Sequence, residues 1–275
     1  MIFLCRVFTL SIVAFAASFV YAATWTTIDV PGATHTLVCG IDSAGDLVGG
    51  YGDGTSTHGF VLSGGIYTTI DVPGALGTVV YGINDLGQIV GSAKKGGTFF
   101  GFVFDGVNFT EFSYPGSDDT FGFGINNAGQ VVGQYSENGH EHGFEWDKGI
   151  FTNLDVPNSG WNAATGIDNQ SRTFGTTTPL NTQELDIFIR SPQGDFRIIN
   201  IGTNVVTRGV NDHKVLVGAT AEAFKFNIKT KTLVTMEFPH VGSHTTSCMG
   251  INNSGVIVGF YKHDKKLHGF VRTPN

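Results

Sequence analysis

A Gly-Ile pair, once Gly-Val, recurs at Gly40, Gly82, Gly124, Gly166, Gly209 and Gly250, at spacings of 42, 42, 42, 43 and 41 residues. A second glycine follows each by nine residues, at Gly49, Gly91, Gly133, Gly175, Gly218 and Gly259. A third landmark, Gly-Phe, stands at Gly59, Gly101, Gly143 and Gly269, and becomes Ile187-Phe188 and Ala223-Phe224 in the fourth and fifth copies. A fourth, IDVPG or a relative, places Asp29, Asp71, Ser113, Asp155, Asn200 and Glu237 at one repeat position. A repeat of this length restricts the chain to architectures that add one supersecondary unit per copy.

Each copy reads as four strands. In the second, TVVYGIN is a first strand, and Asn84 and Gly87 supply a tight turn. QIVGSA, TFFGFVF and NFTEFSY follow as strands two to four, and Pro115-Gly116 stops the last. No stretch of the mature chain sustains a 3.6-residue apolar period. Four-stranded units at this period imply a β-propeller, with an open β-solenoid as the rival. The ends favour closure. The chain after residue 22 begins with TWTTIDVPG, a fourth strand without its first three, and stops at HGFVRTPN, a third strand without its fourth. In an open stack both fragments would be exposed edges, which invite aggregation. The expectation is therefore an all-β, six-bladed β-propeller over residues 23–275. Its last blade is closed by residues near Trp25–Val30 beside Gly269–Thr273.

Composition agrees with short strands and tight turns. The chain holds 39 glycines in 275 residues and only 14% charged residues, against a usual charged share of about a quarter. The net charge of −7 excludes a general basic footprint for nucleic acid and a positive patch for anionic lipid. Residues 1–22 read as a secretory signal peptide: Arg6 near the start, an apolar run from Val7 to Val20, and cleavage after Ala22. The run is too short to span about 30 Å of hydrocarbon as a helix. A soluble exported protein is expected, extracellular or periplasmic, without a membrane span in its mature form.

The repeat, written GINNxGxVVGxY…HxF and best seen at Gly124–Phe144, resembles the HAF repeats of extracellular bacterial proteins, named for a His-Ala-Phe tripeptide. The resemblance covers essentially all of residues 25–272. This chain has Gly for the middle Ala and lacks the His in copies two, four and five. The resemblance implies an exported repeat protein and specifies no reaction.

Two cysteines follow the leader. Cys39 precedes Gly40 by one residue and Cys248 precedes Gly250 by two. A closed ring makes their copies neighbours, and export exposes them to an oxidising compartment. A Cys39–Cys248 disulfide reinforcing closure is one expectation; two buried free thiols is the other.

His58, His142 and His268 share one slot before Gly-Phe, which marks them as scaffold that hydrogen-bonds a neighbouring strand. The IDVPG carboxylates are expected to cap their own turns. His140-Glu141-His142 invites a metal reading, but neighbours in one loop supply too few ligands for a closed tetrahedral site, so no metal and no cofactor are expected. The better candidates are non-repeated residues in the loops from each fourth strand to the next first strand, which converge at one mouth of the ring: His35, Asp118, Asp119, Trp161 and His244. Trp161 offers an aromatic face to a sugar. Copies four and five also depart from the pattern between Thr176 and Asp186 and between Gly218 and Ala223. No nucleophile elbow, phosphate loop or zinc-protease helix is present. The favoured expectation is a monomeric, non-enzymatic binding or scaffold module that takes a glycan or an extracellular protein at the mouth. The alternative is a polysaccharide hydrolase or lyase using Asp118 or Asp119 with His35 or His244.

Overall fold

The computed structural model describes residues 23–180, 182, 184–201, 204–239, 241–242 and 245–274; the expected leader lies outside them. Blade one consists of the antiparallel strands His35–Ile41, Leu47–Gly52, Thr57–Ser63 and Ile66–Ile70. Blades two to five repeat this order over residues 77–112, 119–153, 159–199 and 206–236. Blade six takes its first three strands from Thr246–Ile251, Ile257–His263 and Lys266–Thr273, and its fourth from Thr24–Ile28 at the other end of the chain. The closing ladder runs from Thr24 opposite Thr273 to Ile28 opposite Gly269. The expected six-bladed propeller is the fold, and the closure falls where the chain ends implied. No helix among the described residues is long and apolar enough to cross a membrane.

The turn residues act locally. Asn84 Oδ1 accepts from the amides of Leu86 (3.1 Å) and Gln88 (3.0 Å), and Gly87 takes the left-handed φ of +76° that the turn needs. The same asparagine reaches out of its blade: its Nδ2 donates to the Asn126 carbonyl at 2.9 Å. Asn126 repeats the contact to Asp168, Asn211 to Asn252, and Asn252 to Asp42 across the chain closure. Copies one and four carry Asp at this position, which has no such donor. A second belt lies beside it. The amides of Ser43, Asp85, Asn127, Asn169 and Asp212 each donate to the side-chain Oδ1 of the corresponding residue one blade on.

The core is divided among the blade interfaces. One buried phenylalanine per blade, Phe60, Phe102, Phe144, Phe188, Phe224 and Phe270, is 0–1% exposed. Six apolar clusters each join two neighbouring blades. Val132 of blade three packs with Ala164 and Phe188 of blade four, and Val258 of blade six packs with Val38 and Phe60 of blade one. Six interfaces for six blades leave no apolar face open, which is why one repeat is not a folding unit alone.

Every first strand carries a β-bulge just before its landmark glycine; in blade five the register slips between Thr207 and Gly209. The residue left out of the ladder is turned inward. These residues are Cys39, Tyr81, Phe123, Thr165, Arg208 and Met249, and together they form the throat of the axial channel. The bulge also decides the cysteines. Cys39 and Cys248 are both buried free thiols, the second of the two alternatives. Cys39 sits on the bulge and faces the channel. Cys248, one place earlier in its own strand, packs away from the channel among Val217, Ala223 and Phe270, with its Sγ 3.7 Å from the Met236 sulfur. Burial pushes both thiols up to about 12, so neither is a thiolate at neutral pH.

Candidate functional site

The repeated histidines bind within their own blades. His58, His142 and His268 place Nδ1 at 2.8, 2.7 and 2.8 Å from Oδ2 of Asp71, Asp155 and Asp29. A carboxylate only accepts, so Nδ1 carries the proton. Each ring stacks on a tyrosine of the second strand: Tyr51, Tyr135 and Tyr261. The aspartates expected to cap their own turns serve these imidazoles instead. The turn amides of Val30 and Val72 go to the hydroxyls of Thr36 and Thr78, both at 3.1 Å. The three groups at 140–142 part company. His142 holds Asp155, Glu141 accepts from Gln134 Nε2, and His140 is exposed.

The mouth residues singled out by sequence do not form one cluster. Asp118 Oδ2 accepts from the Asn138 amide at 3.1 Å, and Asp119 Oδ1 accepts from the Phe99 amide of blade two at 2.6 Å. Asp118 therefore ties a loop to the hairpin turn of its own blade, and Asp119 ties the first strand of blade three to the third strand of blade two. His35 lies over Gly52, with Nδ1 3.3 Å from Thr34 Oγ1. His244 lies outside the described residues.

Trp161 is different. It is the third residue of the first strand of blade four, Ser159–Ile167, and lines a recess of about 590 Å³ with Phe123, Gln134, Ala163, Thr165, Thr178, Thr182, Leu185, Val206 and Arg208. That volume suits a small ligand or a short segment of a larger one; the cavities along the axial channel are about 80 Å³ or less. The recess arises from the asymmetry of copies four and five. From the second glycine to the buried phenylalanine, four copies use eleven residues, copy four uses thirteen and copy five uses six. Thr182 and Leu185 of blade four supply one side of the wall, and Val206 and Arg208 of the first strand of blade five supply the adjacent side.

The floor is the throat. Phe123 is held by an edge contact from Tyr81 at 5.3 Å. Phe99 and Phe121, 4.9 Å apart, continue the aromatic row outward through Phe121 and Phe123. Arg208 completes the floor beside Thr165. Its side chain is exposed and keeps water contact through the channel and the recess, with the neighbouring blades around it. Burial lowers its pKa from the ordinary arginine value, and the nearby Tyr81 and Cys39 oppose that; with that water contact it stays charged. Burial pushes the Tyr81 phenol up to about 12. Sequence reading missed Phe123 and Arg208. Their signal was the residue before each landmark glycine, which differs in all six copies while its surroundings repeat. No carboxylate lines the recess among the described residues.

No protein-family model matches the chain, and no curated protein matches it. Solved structures do. A streptogramin B lyase is similar at 12% identity and TM-score 0.57, over 90% of this chain and 97% of that one. Virginiamycin B lyase from Staphylococcus aureus is similar at 13% identity and TM-score 0.52, over 90% and 88%. TolB from Acinetobacter baumannii is similar at 11% identity and TM-score 0.56, over 87% of this chain and 55% of that one. At these identities the likeness is one of fold: all are propeller-like structures.

Proposed function

We propose that this chain is an exported, monomeric, non-catalytic binding module of the HAF-repeat type, and that it seats a glycan in the recess over blades three to five. The observation that carries this reading is Trp161. It lines the recess, is half-buried and makes no ring contact with another described aromatic, which leaves its indole as the stacking surface offered to a sugar. Phe123 adds a second apolar surface, and Gln134, Thr178 and Thr182 supply hydrogen-bonding groups. Glycoside hydrolysis uses a pair of carboxyl groups about 5–10 Å apart across the scissile bond, and the recess lining has none among the described residues. Asp118 and Asp119, the carboxylates on which the enzymatic alternative depends, are engaged by backbone amides. The lyase names of two structural neighbours belong to those proteins.

A glycan array read beside a polysaccharide turnover screen, both on the mature protein, separates the readings. Binding without turnover is expected. Trp161→Ala should weaken the bound glycan by about 1–3 kcal/mol, the size of one aromatic stacking platform. Turnover abolished by Asp119→Asn would establish the hydrolase or lyase instead.

A further inference from the structure

We infer that the recess selects an anionic ligand, a glycan bearing uronic-acid carboxylates, and that Arg208 at its floor is the group that receives the carboxylate. The inference rests on the glycan reading above and adds the charge of the ligand to it.

Arg208 is the single charged member of the six residues that the first-strand bulges turn into the throat; the others are Cys39, Tyr81, Phe123, Thr165 and Met249. Among the described residues it has no hydrogen bond and no ion pair. Two less exposed arginines are paired: Arg172 holds Asp168 and Arg190 holds Glu145. The throat offers Arg208 no compensating negative charge, because burial keeps both the Tyr81 phenol and the Cys39 thiol protonated at neutral pH. The recess above it contains no carboxylate among the described residues. Glu141, which reaches the lining residue Gln134, is already committed to that amide.

A guanidinium that faces a recess with no counter-ion beside it has its donors free for a bound anion. The fork of a guanidinium matches the two oxygens of a carboxylate, so one group can fix both the charge and the orientation of a sugar acid. Trp161 and Arg208 then divide the ligand between them, ring face to indole and carboxylate to guanidinium. A single cation with no second positive group beside it fits one carboxylate per sugar better than a phosphate monoester dianion. The remainder of the molecule, at −7 overall, attracts no anions at long range. Selection therefore comes from contact in the recess, and added salt should weaken it only modestly.

The test uses calorimetry on the mature protein with galacturonate, glucuronate and mannuronate oligomers and their methyl esters, which keep the rings and lose the charge. At least one acid form should bind about tenfold or more tightly than its ester, the size of one charge-assisted hydrogen-bonding pair. Arg208→Gln should bring acid and ester to the same affinity. Arg208→Lys should retain part of the preference, and its unfolding midpoint controls for folding. Trp161→Ala should weaken acid and ester alike. Equal affinity of the wild type for acid and ester, binding confined to neutral glycans of the array, or an acid preference that survives Arg208→Gln overturns the inference and leaves the glycan reading standing. Absence of binding by every glycan overturns both.

Discussion

His58 carries a pH signature that belongs to one residue. Its pKa is raised from the ordinary value, first by the hydrogen bond to Asp71 and further by the bond to Asp53 at 3.2 Å, with burial opposing. A histidine whose folded value is raised contributes stability that is fully present below its unfolded value, about 6.5, and lost as pH rises through the higher folded value. The thermal midpoint of wild type minus that of His58→Gln should therefore be largest near about pH 6 and shrink towards pH 9. A difference that grows with pH would contradict the assignment. The histidine slot was legible in the sequence because it repeats. Its partner was not, because Asp71 stands thirteen residues on and meets His58 only through the pairing of the third and fourth strands. Arg208 was missed for a related reason. Outward and inward positions alternate along a regular strand, and a bulge resets that alternation where no turn residue announces it.

At the scale of the blade, the second landmark glycine is a packing requirement. A Cβ on Gly133 would stand 1.9 Å from the Phe121 carbonyl oxygen and 2.6 Å from the Phe144 ring. The equivalent glycines of the other five blades meet a first-strand carbonyl at 1.9–2.2 Å. Gly133→Ala should cost about 3 kcal/mol or more, at the upper end for overpacking. Gly160→Ala, whose Cβ would find only Leu180 at 3.7 Å, should stay within about 0.5 kcal/mol; denaturant titration of the two variants decides. The strands of copy two lie where turn residues and apolar runs place them, at Gly77–Ile83, Ile89–Lys95, Thr98–Phe104 and Phe109–Phe112. Copies four and five were legible as exceptions but not as walls, because the volume between a long hairpin and a short one depends on both blades at once.

For the whole molecule, closure rests on a few identifiable contacts. Trp25 of the N-terminal strand packs on Phe238 at 5.5 Å and on Phe270 at 5.0 Å, with Arg272 over its outer face. Deleting residues 23–28 removes these contacts and bares the third strand of blade six, an edge that other chains can pair with. The truncated protein should unfold at lower temperature and associate more in light scattering than the chain that keeps residues 23–28. Closure was legible because the two chain ends are complementary fragments of one repeat. The choice between a disulfide and two free thiols was not, because adjacency of blades does not fix which way a bulged side chain turns. With Thr24 opposite Thr273, the backbone is in effect a circle carrying a single nick. Sealed by a short linker and reopened between any two blades, it would keep all its sheets four-stranded while its termini emerged at a different sector of the rim. A partner fused there would then stand near the recess or opposite it, as the choice of nick dictates.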